Sequence, residues 1–236
     1  MREVKVALGM RLTGQEMRDL KVDIDCLNDI QDFLWDHFCA ISQATVINRF
    51  IPNISWSHRP GDITDQDLVV YFVRNPANGI IKDLGITIPQ DGGGLTALNV
   101  SGKGTISEVY VENNKPAKKL ANIALHELMH NKLQLDNNGL HTIAGVGIGQ
   151  TGTNDCSVLT PTDITRMAAG MGNAVRQYAA LLPGDVAAKF VNPAEPPPTS
   201  VLVCSTGTKP SQGYLSPADR AAATSAVDWS RVVRKK

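Results

Sequence analysis

The run Leu68-Val69-Val70-Tyr71-Phe72-Val73 has no polar residue to turn toward water. A strand alternates its side chains between two faces, so a run that is apolar on both must be covered on both. It reads as a strand inside a sheet, with other elements packed above and below. A covering helix is legible upstream. From Thr13 or Gly14 to about Ala40, the residues Met17, Leu20, Ile24, Leu27, Ile30, Leu34 and Phe38 recur at spacings of three and four. That spacing lays one apolar face along a single long helix.

The rest of the chain alternates similarly. Val4–Leu8, Val46–Phe50, Gly85–Ile88, Leu95–Val100 and Ile106–Val111 read as strands, and Asp91-Gly92-Gly93-Gly94 as a flexible turn. A helix is expected from near Pro116 to about Leu135, stopped by Asn137-Asn138-Gly139. Thr160-Pro161 opens another, expected to run to about Leu182, where Pro183-Gly184 stops it. Beyond it, Pro193–Pro198 is expected to be extended, Val201–Cys204 a strand and Pro217–Val227 a short helix. The order predicts an α+β fold with a mixed sheet and helices packed on it. Residues 1–138 would form an N-terminal subdomain, and 139–236 a smaller helical and loop-rich part that completes one functional unit.

Composition excludes several classes. Lys+Arg and Asp+Glu are 23 each, so the net charge is zero, which argues against a nucleic-acid binder working by bulk electrostatics. No apolar run approaches the roughly 20 residues that span a bilayer, and residues 1–10 lack a secretory h-region. Either the cytoplasm or delivery as one domain of a secreted effector fits. The 236 residues can bury a core without staples, so a metal here would be catalytic in preference to structural. The cysteines, Cys26, Cys39, Cys156 and Cys204, lack zinc-ribbon spacing. They read as four free thiols, with Cys156–Cys204 the one pairing left open.

The chemistry is concentrated in His126-Glu127-Leu128-Met129-His130. Residues four apart on a helix sit about 40° apart and about 6 Å along the axis, so both imidazoles can reach one cation. Glu127 is turned about 100° from His126. It need not ligate, and is placed to act as general base on a metal-activated water. His126, His130 and His141 fall within sixteen residues, in a chain with five histidines.

HELMH on a helix, preceded by strand, long helix and strands, resembles the zincin metallopeptidases, and its element order is similar to the metzincin-type N-terminal subdomain. HELMHNK also resembles peptidase domains of bacterial secreted toxins. The resemblance implies Zn2+ on His126 and His130, Glu127 as catalytic base, and a peptide or protein substrate. It also implies extended substrate pairing with the strand before the active-site helix. Here that is Ile106–Val111, with Val109 and Tyr110 in contact and Glu108 and Glu112 favouring basic substrate residues. A toxin domain would add a secretion carrier or an immunity partner. The alternative functions are a zincin-fold binding module without turnover and an effector whose target is not a generic protein.

The third ligand departs from the metzincin pattern, because Leu133 and Asp136 stand where it has glycine and histidine. A helix continuing to Asn138, then reversed at Gly139, would bring His141 back to the level of His130, and His141 is favoured on that geometry. Asp136, Asp163 and Asp155 are its rivals. Leu159, in Cys156–Pro161, stands where a metzincin methionine would, with Met167 and Met171 as alternatives. Tyr178 and Tyr214 are candidate transition-state donors by residue type alone.

Overall fold

Leu68–Val73 lies inside a five-stranded sheet, fully buried along its length. The computed structural model describes residues 2–44, 49–57, 66–89, 92–114, 116–142 and 147–180. In chain order the elements are β1 (Arg2–Met10), α1 (Gly14–Leu20), α2 (Ile24–Gln43), β2 (Phe50–Ser57), β3 (Leu68–Val73), α3 (Ile80–Asp83), β4 (Gly94–Ala97), β5 (Ile106–Tyr110), α4 (Ala117–Leu133), α5 (Asn137–Leu140) and α6 (Pro161–Gly170). The strand order is β2-β1-β3-β5-β4. The first four run parallel, and β4 is antiparallel to β5, with Gly94 opposite Val109 and Ala97 opposite Ile106. This is an α+β fold on a mixed sheet.

The two faces of the sheet bury different cores. Val6, Leu8, Met10, Val70, Phe72 and Val109 pack against α2 and α4. Leu27, Ile30, Leu34, Phe38 and Ile41 supply the buried stripe of α2, each worth roughly 1.5–3 kcal/mol over exposure. The opposite face (Ala7, Val69, Tyr71, Val73, Ile106 and Tyr110) is covered by Ile80 and Ile81 of α3, with Tyr178 and Ala180 packed alongside. The unbroken apolar strand is explained by these two layers.

Four expectations are corrected. The long helix is two: Lys21 turns left-handed at φ 55°, and Asp23 caps a new start by accepting from Cys26 N. Gly85–Ile88 is not a strand. The helix carrying the histidines ends at Leu133, not near Leu135. The last described helix stops at Gly170, well before Leu182. The segments expected beyond residue 180 lie outside the described residues, as does most of Val46–Phe50, which leaves β2 beginning at Phe50. Neither Cys26 nor Cys156 is in a disulfide, but Cys39 is disulfide-bonded, which corrects the expectation of four free thiols and of a Cys156 bridge. Among the described residues no helix is long and apolar enough to cross a membrane.

Candidate metal centre

Helix α4 is the central element. It packs on the sheet over β3, β4 and β5, with α2 alongside it and α6 also against it, so residues from Leu120 to Lys132 are buried almost without interruption. His126, Glu127 and His130 are therefore held on a helix packed on most of its surface. Glutamine is an uncommon left-handed terminator, yet Gln134 ends the helix at φ 54°, with its own Nε2 capping Asn131 O at 2.6 Å. That turn brings the Leu135 carbonyl back onto His130. Asp136 then caps α5 by accepting from Gly139 N at 2.8 Å, and His141 follows α5 directly. Arg166 of α6 grips the end of α5 through the carbonyls of Gly139 and Leu140.

His126, His130 and His141 converge and could hold a metal ion. The Nε2 atoms of His126 and His130 are 3.2 Å apart, as are those of His126 and His141. Tetrahedral zinc, with Zn–N bonds of about 2.0–2.1 Å, sets its nitrogens about 3.3–3.4 Å apart. The opposite ring nitrogens are already engaged. His126 Nδ1 lies 2.6 Å from Ile148 O, and His130 Nδ1 lies 2.7 Å from Leu135 O. A carbonyl only accepts, so each Nδ1 carries the proton and each neutral ring presents a bare lone pair at Nε2. Protonating the pair instead is disfavoured: burial, then the neighbouring His130, pushes the His126 pKa down to about 3. Burial also lowers His130 and His141. Lone pairs facing each other at this distance fit a shared cation.

Glu127 sits beside this cluster and outside it. Burial raises its pKa to about 8, against the opposing pull of Thr96, whose Oγ1 donates to Oε2 at 2.8 Å. Glycine at position 94 makes room for it, since a Cβ there would lie 2.8 Å from Glu127 Cγ and 2.6 Å from Glu108 O. The glycine run is thus a place of close strand-to-helix approach and not only a turn. A cleft of about 700 Å³ opens over the site, between Gly92–Thr96 on one side and Leu135–Asn138 and Thr151–Thr153 on the other.

The other candidates fall elsewhere. Asp163 is buried and caps α6, bonding Thr160 N, Thr160 Oγ1 and Gly149 N. Asp136 lies exposed on the cleft wall, and Asp155 is exposed and outside the cluster. Val109 and Tyr110 are buried in β5, which pairs with β3 on one side and β4 on the other. The expected free edge of Ile106–Val111 does not exist, because β4 covers it, and among the described residues β4 is the outermost strand on that side of the sheet. Glu108 faces the far core and accepts from the amides of Ile80 and Ile81, and Glu112 pairs with Arg74. Tyr178 lies against the far core, where its carbonyl accepts from Tyr71 OH, and Tyr214 is outside the described residues. Leu159, Met167 and Met171 pack in the main core. Sequence reasoning missed Thr96, Ile148 and the Leu135 carbonyl. Two of these act through main-chain oxygens, which no residue type reveals.

Comparison with family models, with curated proteins and with solved structures returns no match.

Proposed function

We propose that the protein is a zinc-dependent peptidase that takes its substrate as an extended strand along β4. The observation that carries this reading is the convergence of three imidazole Nε2 atoms beside a buried glutamate that is not among them, on the floor of an open cleft. His126, His130 and His141 would hold the ion, and the nitrogen-only donor set suits zinc. Held by these three residues, zinc would supply Lewis acidity toward a carbonyl and toward water, whose pKa it would bring toward about 7. Glu127 takes the proton of the attacking water and passes it to the departing amine. The outer edge of β4 lines the cleft and offers main-chain donors and acceptors to a peptide.

The test is zinc content together with hydrolysis of a peptide library by wild type and Glu127→Gln. One zinc per chain in both proteins is expected, with turnover in the variant down at least about 10²–10⁴-fold. A wild type that binds zinc but cleaves nothing would leave a binding module in place of an enzyme. Turnover unchanged by Glu127→Gln would remove the glutamate from the reaction.

A further inference from the structure

A main-chain amide orients the hydrogen-bond network behind Glu127. Val69 N donates to Gln177 Oε1 at 3.1 Å. A backbone N–H can only donate, so the Gln177 atom facing it is the oxygen. Asn131 Nδ2 therefore donates to that same Oε1 at 3.0 Å, and Gln177 Nε2 returns a bond to Asn131 Oδ1 at 2.8 Å. The remaining proton of Asn131 Nδ2 goes to Ser107 Oγ at 3.1 Å. Ser107 accepts there, and its own proton has two acceptors in reach, Thr96 Oγ1 at 2.9 Å and Glu127 O at 3.4 Å, of which Thr96 is the nearer. Thr96 is left with one proton and two acceptors, Glu127 Oε2 at 2.8 Å and Glu127 O at 3.0 Å. The carboxylate is the shorter and, when ionised, the stronger acceptor.

We propose that Thr96 is a positioning residue for Glu127, kept in the donor state by the chain Gln177–Asn131–Ser107. The inference rests on the reading of Glu127 as general base. A hydroxyl that donates to one carboxylate oxygen fixes the carboxylate's rotation. The chain joins β4, β5, α4 and the segment after α6, so the base is oriented by four separate parts of the fold. Thr96 also stands on the strand that lines the cleft, which ties the placement of the base to the strand proposed to seat the substrate.

The experiment compares zinc-loaded wild type with Thr96→Val, Thr96→Ser and Ser107→Ala. Each is read by zinc content, by kcat and KM separately, and by the crystallographic orientation of the Glu127 carboxylate. Thr96→Val should keep one zinc and a KM within about threefold, with kcat down roughly 10–100-fold and the carboxylate turned. Thr96→Ser should restore both kcat and orientation. Should Thr96→Val fail to fold, Ser107→Ala carries the test. It leaves Thr96 in place but frees its hydroxyl to rotate, and should lower kcat severalfold without moving KM. An unturned carboxylate in Thr96→Val, or a kcat loss that serine does not rescue, would overturn the proposal. A wild type that hydrolyses no peptide would end the peptidase reading, and the carboxylate orientation would still decide the role of Thr96.

Discussion

His126 is oriented by Ile148, whose carbonyl oxygen lies 2.6 Å from Nδ1. Ile148 is in turn held by the loop around it. Its amide bonds Val158 O, and the amide of the next residue, Gly149, bonds Asp163 Oδ1. Asp163 therefore reaches the histidine through a loop and is not one of the converging donors.

Asp163→Ala and His141→Ala should separate these roles. Asp163→Ala removes a helix cap, costing roughly 1–2 kcal/mol, and loosens the loop behind His126. Metal affinity should fall by about 10–100-fold, the scale of lost outer support, while the stoichiometry stays at one. His141→Ala removes a donor and should lower affinity far more, with little change in thermal stability of the metal-free protein. Chelator competition read by native mass spectrometry decides it. Metal lost from Asp163→Ala and kept by His141→Ala would make the aspartate the third ligand.

The metal-free protein should lose stability as pH rises, through Glu127. Its carboxyl titrates near 4.5 in the unfolded chain and at about 8 when folded. Between those values the folded state holds a proton that the unfolded state has released, so stability falls with pH. The contribution is fully present below about pH 4.5 and gone above about pH 8. Glu127→Gln cannot ionise. The variant should match wild type near pH 5 and exceed it near pH 8, by an amount on the order of a few kcal/mol. Urea unfolding of both chelated proteins at the two pH values measures the difference, and parallel curves would show that Glu127 ionises freely in the folded state.

The sequence made the central features visible because they are written in side chains of clear type. Six apolar residues in a row placed β3 inside a sheet, and the spacing of His126 and His130 put both on one helix face. His141 joins the cluster by a path other than a helix continued to Asn138, because Gln134 turns left-handed, a role its residue type does not advertise. The break between α1 and α2 was hidden because Leu20, Ile24 and Leu27 keep helical spacing across it. The edge strand was misplaced because β4 has four residues and begins with glycine, too short and too weak a pattern to rank above Ile106–Val111. The order of strands in a sheet is a long-range property that alternation does not encode.

Gly94→Ala should impair chemistry more than metal binding. The added methyl would press on the β5 backbone at Glu108 O and on Glu127 Cγ and Oε1. A backbone oxygen cannot step aside, so β4 must shift and Glu127 must move. A stability loss of about 1–3 kcal/mol is expected, with zinc retained, since no ligand lies on β4. The kcat should fall by at least about tenfold, as misplacing a reacting group costs. Gly92→Ala is the control: its Cβ would meet nothing closer than 3.3 Å. Equal kcat in the two variants would show that Glu127 does not depend on the close approach at residue 94.

Substrate that joins the edge of β4 should show its pairing as a period of two. Among the described residues Gly94–Ala97 pair with β5 on one side only, and along a strand the main-chain groups point alternately toward either neighbour. A bound peptide would thus give every second amide to β4 and turn the others to the cleft. N-methylation removes one donor without changing the side chain. Scanned along a cleaved peptide, it should lower kcat/KM by about tenfold at alternate positions and little between them, each lost bond being worth about 0.5–1.5 kcal/mol together with the bulk of the methyl against the strand. Side-chain changes should show no such period. A scan with equal effects at neighbouring amides, or with none, would mean that the peptide lies across the cleft without pairing to β4, and the proposed docking mode would be withdrawn while the metal site stood.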